Sequence, residues 1–85
     1  MEVQKKLIGK IAHFYPAISV AVVDLNDTLK VGDKILIERA SGSFEQTVTS
    51  MQIEHKDVQM AKKGESIGLK VNEKTREGAK VYRVM

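Results

Sequence analysis

The chain has 85 residues, 42% hydrophobic and 29% charged. That is enough for a single domain over residues 1–85 with one modest core, and too little to wall off a deep active-site cleft. It contains no cysteine, which excludes a disulfide framework, thiolate metal ligation and a thiol nucleophile. No apolar run approaches the ~20 residues of a membrane helix, and the first residues alternate polar and apolar instead of forming a signal peptide's apolar segment. A cytoplasmic domain without membrane association is expected.

Charge is divided unevenly. Residues 1–23 carry three Lys against one Glu, residues 24–55 three basic against six acidic, and residues 56–85 eight basic against four acidic. The formal net charge of +3 is therefore one acidic segment between two basic ones. If the chain ends meet in the fold, their lysines would form one positive surface that attracts phosphates. The plainer alternative is a solvated surface of mixed charge.

In chain order, residues 6–14 alternate apolar and polar with Gly9 inserted, as in a strand with a bend or a close backbone approach. Pro16 ends ladder donation there. Residues 18–25 are rich in β-branched side chains and read as a second strand. Asn26-Asp27-Thr28 is turn chemistry, residues 34–39 a third strand, and Ser41-Gly42-Ser43 the turn after it. In the fourth strand Phe44, Gln46 and Val48 share one parity, Met51 and Ile53 the other, so a bulge or bend near Thr49-Ser50 is needed to bring both sets inward. Residues 65–71 give a fifth strand and residues 81–84 a sixth. Only residues 56–63 have room for a helix, too short to be stable alone, and they read as a single helical turn or an irregular connection. Three glycines, Gly32, Gly64 and Gly78, each precede a polar residue and an apolar strand start, as turn glycines do. No phosphate-loop motif occurs. The expectation is an all-β chain forming one closed, six-stranded, antiparallel-rich barrel with at most one short helical turn, because a sandwich this small would leave several edges unprotected.

The turn motifs carry a resemblance. Leu29-Lys30-Val31-Gly32-Asp33-Lys34-Ile35 is similar to the "lkvGdev" turn of the second domain of translational GTPases, and Thr47-Val48-Thr49-Ser50-Met51-Gln52 resembles its "tVksIqm" strand. The run from Val58 to Leu69 is similar to its "veeAkaGdnvGl" segment, and Arg76-Glu77-Gly78-Ala79-Lys80-Val81 to its closing "rGdvl" turn. Covering nearly the whole chain, the resemblance implies a barrel of the kind found as domain 2 of elongation factor Tu and related initiation factors. The same barrel resembles an accessory domain of collagenase-like peptidases. The resemblance covers only the second-domain pattern and not the GTPase domain that hydrolyses nucleotide in translation factors, so GTP binding is not expected of these residues. The first hairpin, His13-Phe14-Tyr15-Pro16-Ala17-Ile18, departs from the factor Tu pattern.

What these features imply is a binding module and not an enzyme. Its partner would be tRNA, rRNA or a ribosomal component, or alternatively a protein that supplies a catalytic domain and on which the accessory barrel docks without nucleic acid. In the His13-Phe14-Tyr15-Pro16 turn, exposed Phe14 or Tyr15 would stack on a base with Lys10 near a phosphate; otherwise they cap the barrel and cover the hairpin. Lys56, Lys62, Lys63 and Arg76 would form the phosphate-facing surface, or are ordinary solvated residues beside turns. Adjacent Glu54 and His55 point to opposite faces of a strand and do not make a metal site. No catalytic residue, cofactor or metal is expected.

Overall fold

Alternating aliphatic side chains become strands along most of the chain. The structure is a computed structural model that describes residues 4–84. Its strands are β1 (Lys5–Tyr15), β2 (Val20–Leu25), β3 (Leu29–Lys30), β4 (Lys34–Arg39), β5 (Gly42–Thr47), β6 (Met51–Ile53), β7 (Lys56–Val58), β8 (Met60–Ala61), β9 (Ser66–Lys70) and β10 (Lys80–Val84). The protein is all-β, with no helix among the described residues. Eight strands form one sheet in the order β5-β4-β10-β1-β2-β9-β6-β7, and β3 pairs with β8 in a small ribbon. Every pairing is antiparallel.

The expected closed six-stranded barrel is corrected on two points. Among the described residues there are ten strands, and the main ladder is open, ending at β5 and β7. The reason is the break in the fourth predicted strand. Residues 48–50 leave the ladder, so β5 and β6 belong to opposite ends of the sheet although they adjoin in sequence. The β3–β8 ribbon lies between these ends. The Gly32 amide donates to the Val48 carbonyl (2.8 Å), the Val48 amide to Asp33 (2.8 Å), and the Val31 amide to Gln59 (2.9 Å). From inside, buried Gln46 of β5 donates to the Lys70 carbonyl and accepts from the Asn72 amide, both at 2.8 Å. The break also does what the change of parity requires, because Val48 and Met51 are both buried.

Residues 56–63, read as a helical turn or an irregular connection, hold no helix. Glu54 and His55 have φ of 51° and 65° and form the two-residue connection between β6 and β7, where Ile53 pairs with Lys56. Two consecutive left-handed residues are the geometry of a type I′ hairpin turn, so the chain reverses as a hairpin and continues into β7 and β8. The turn glycines behave as read: Gly32, Gly64 and Gly78 have φ of 99°, 89° and 87°. The segment read as a turn at His13-Phe14-Tyr15 is instead the end of β1, and the reversal falls on residues 16–19.

β1 fixes the curvature of the sheet. It pairs with β10 on one side and β2 on the other, and its register slips between Leu7 and Gly9 against β10 and between Ile11 and His13 against β2. In an unbroken strand, residues three apart point to opposite faces. Here each slip absorbs one residue, so Ile8, Ile11 and Phe14 all face the core, Phe14 being partly buried against it. The cross-strand row Phe14–Ala21–Leu69–Met51–Val58 and the row Ile11–Val23–Ile67 run along that inner face.

The β1–β10 pairing also brings the chain ends together, with Lys5 opposite Val84, Lys6 opposite Arg83 and Lys10 opposite Lys80. At one end of the sheet, Asp27 receives two of these cations. The Lys6 ammonium lies 2.7 Å from its carboxylate and the Arg83 guanidinium 3.6 Å. The Thr28 amide donates to the same carboxylate at 2.7 Å, and Arg83 donates to the Thr28 carbonyl at 2.7 Å. The hydrogen bond from Lys6, then that from Thr28, holds the Asp27 carboxyl below its ordinary range, against a smaller opposing effect of burial.

Gly9 is where the bend has no room for a side chain. A Cβ there would lie 2.5 Å from the Asp24 carbonyl oxygen and 3.1 Å from a Val23 methyl. Gly9→Ala is therefore expected to force β1 away from β2 and to lower stability by about 1–3 kcal/mol, read as a lower urea midpoint. A variant as stable as the parent would show that the close approach is not a constraint.

Candidate functional site

β2 is apolar on both parities. Ala21, Val23 and Leu25 face the core, while Val20 and Val22 face outward and are only partly covered. A strand that is apolar on both faces is normally covered on both. On its outer side β2 meets a shallow groove of about 550 Å³. Val20 and Val22 line its floor, Tyr15 and Ile18 stand beside them, and Glu54 and His55 stand on the rim. Tyr15 is 47% exposed and Ile18 57%. Gly68 continues the outward row His13–Val22–Gly68–Gln52, so the floor there is bare backbone. A Cβ at Gly68 would meet Val20 at an ordinary 3.5 Å, so the glycine is not imposed by packing.

The groove's walls are held in place by polar contacts. The Lys70 ammonium donates to the Ile18 carbonyl at 3.2 Å, and the Val71 amide donates to the carbonyl of Ser19, whose φ is 54°. Beside the groove, the His13 ring contacts Tyr15 edge-on, with centroids 4.4 Å apart, and its Nδ1 lies 3.0 Å from the Glu77 carboxylate. That pair is half exposed or more and adds little stability, about 0–1 kcal/mol. Arg39 holds the segment that carries Glu77. Its guanidinium bonds the Gly42 and Lys74 carbonyls, pairs with Glu73 at 3.3 Å and stacks 4.6 Å over Phe44.

The residues expected to make one nucleic-acid surface are spread over the molecule. Phe14 packs inward and Tyr15 outward, so they do not form a two-ring platform. Lys62 and Lys63 sit at a turn whose Gly64 amide bonds the Leu25 carbonyl, whereas Tyr15 pairs with Val20 at the other end of β2. Five residues of strand separate those ends, about 17 Å. Lys56 lies in β7 at the sheet edge, and Arg76 in the loop near Phe14 and Pro16. Lys10 is exposed on β1, three residues before His13. Among the described residues no group of three or more His, Cys, Asp or Glu is placed to hold a metal. Sequence reasoning missed Ile18, Val20 and Val22 as a surface feature. The available signal was the two-sided apolar character of residues 18–23.

No family model matches the chain. Over 76 residues, 88% of its length, it is 51% identical to an uncharacterised protease of Methanocaldococcus jannaschii. The chain spans only 19% of that curated relative. In three dimensions it is similar to the C-terminal domain of a Geobacillus thermoleovorans protein described as a U32 peptidase, with TM-score 0.86, 15% identity, and 92% of this chain and 91% of that one covered. The selenomethionine variant of that domain gives TM-score 0.85 at 15% identity, covering 89% and 96%. At that identity the likeness shows the fold alone. The comparisons support the peptidase accessory-domain resemblance and give no support to the factor Tu one.

The inward and outward placements separate by stability. Phe14→Ala is expected to cost about 2 kcal/mol through lost core packing, whereas Tyr15→Ser and Ile18→Ser each stay within about 0.5 kcal/mol of the parent. Chemical denaturation checks this. Equal losses at all three positions would mean that the groove residues are part of the core.

Proposed function

We propose that this chain is a non-catalytic accessory domain of the U32-peptidase type that docks on the polypeptide carrying the chemistry, through the Tyr15–Ile18 groove. The observation that carries the reading is the 51% identity to a stretch that makes up only 19% of a larger protease. A segment of that kind works beside other parts of its protein, and contact with them needs an outward apolar surface. The groove supplies one: aromatic and aliphatic anchors around a bare glycine, with a polar rim. The proposed occupant is a surface of the larger polypeptide that carries the chemistry.

The reading extends to the absence of chemistry in this domain. The histidines serve structure, His13 binding Glu77 and His55 forming the hairpin turn with Glu54. The grooves are shallow, as expected of so small a core, and Glu54 and His55, on the rim of the Tyr15–Ile18 groove, form a hairpin turn.

The test uses the Methanocaldococcus jannaschii relative made without the segment this chain matches, with this chain added in trans. Sedimentation is expected to show a one-to-one complex with Kd of about 100 μM or tighter, a weak value being normal for domains ordinarily tethered together. The double variant Tyr15→Ser, Ile18→Ser, still folded, is expected to bind about 30-fold more weakly or worse. No complex with the parent chain would overturn the reading.

A further inference from the structure

The meeting of the chain ends concentrates cations on the sheet, and most of them are spoken for. Lys6 and Arg83 share Asp27, while Lys5 pairs with Glu38 at 3.6 Å and lies 4.5 Å over the Tyr82 ring. Lys10 and Lys80 are different. They face each other directly across β1 and β10, both exposed, and neither has a carboxylate within 4.0 Å among the described residues. Like charges placed directly opposite disfavour a ladder, so this pair is not explained by the fold's own stability. The acids opposite them on the flanking strands make other contacts. Asp24, the residue opposite Lys10 on β2, accepts from the Ser66 hydroxyl at 2.6 Å, and Glu38, opposite Lys80 on β4, is the partner of Lys5.

Both lysines line a groove of about 340 Å³. Leu7, 42% exposed, and Leu25 give it an apolar wall, and Gly9 and Gly78 leave backbone exposed along it. It adjoins the Tyr15–Ile18 groove on the same sheet face. Asp24 lines the one and Ser66 the other, and the bond between them marks the boundary. Anything lying along β2 from Ile18 toward Leu25 reaches Lys10 and Lys80 next.

We propose that Lys10 and Lys80 form a carboxylate-binding site for an acidic, apolar-flanked protein segment of the docking partner. This rests on the docking reading above and deepens it, because the apolar groove provides contact area and the lysine pair provides register and orientation. The leucines beside the cations favour a peptide, whose carboxylates alternate with apolar side chains, over a nucleic acid. Of the outward aromatic rings, Tyr82 lies two residues from Lys80 but carries the Lys5 ammonium 4.5 Å over its face, and Tyr15 is separated from the lysine pair by the His13 row, so neither offers a base a free face beside the lysines.

The test titrates the isotope-labelled chain at low salt with three probes: an acetylated Glu-Leu-Glu-Leu peptide, a uridylate oligomer of equal charge, and inorganic phosphate. Saturable amide shifts from the peptide are expected at Leu7, Gly9, Lys10, Gly78 and Lys80. The double variant Lys10→Gln, Lys80→Gln is expected to weaken binding about tenfold, while Lys62→Gln, Lys63→Gln leaves it unchanged. Absent shifts, shifts that survive in the Lys10, Lys80 variant, or tighter binding of the oligomer or phosphate at these residues would overturn the proposal. The titration needs no partner protein, so it judges the site even if the truncated relative fails to bind. Conversely, a complex with that relative that is indifferent to Lys10→Gln, Lys80→Gln would overturn the site and leave the docking reading standing.

Discussion

The bend of β1 is the constraint on which the rest of the molecule depends. This strand pairs on both sides, and both pairings are possible because the backbone slips register twice along its length. At the first slip, Gly9 lets β1 approach the Asp24 carbonyl more closely than any side chain would permit. Without that bend, Ile8 and Ile11 would point to opposite faces and the core would lose one of them. With it, β10 is carried round to β4 and β5 on one side while β2 carries β9, β6 and β7 on the other. The same slips decide what is left outside, placing Lys10, His13 and Tyr15 together on the outer face.

That outer face gives the functional reading its physical content. A small domain can cover only one side of its sheet, and here the core takes the inner residues of β2 while Val20 and Val22 remain under a shallow groove. Exposed apolar area of this kind is a cost in a free protein and an asset where another surface covers it. The open ladder fits the same picture. The β3–β8 ribbon and buried Gln46 hold the sheet curved around its core without full closure, and the groove sits on the convex side.

Much of this was legible in the sequence. The strand at residues 34–39 follows from period-two patterning and that read at 18–25 from its β-branched side chains, although Ile18 and Ser19 belong to the reversal; the turns at Gly32, Gly64 and Gly78 follow from glycine's freedom at positive φ, and the break near Thr49-Ser50 from the change in parity. The short strands β3, β7 and β8 were not, because two or three residues carry no periodicity. The Glu54-His55 hairpin was hidden by the lack of glycine or asparagine at a turn that favours them. The spacing of three between Ile8, Ile11 and Phe14 concealed that all share one face, since nothing in it separates a bulged strand from an ordinary one.

Charges were the least legible feature, for a different reason. The β1–β10 pairing brings the ends of the chain together, the condition on which a shared lysine surface depended, yet whether a lysine is free depends on cross-strand register and on loops distant in sequence. Asp27 pairs with both Lys6 and Arg83, which lie 21 residues before it and 56 after it, and no local pattern announces that. The central claim, that this domain docks on a larger protein through the outer face of β2, is tested most directly by amide hydrogen exchange of the chain with and without the truncated Methanocaldococcus jannaschii relative. Added protection at residues 15–22, where backbone amides border the groove, is the expected result. Protection elsewhere with none at those residues would contradict it.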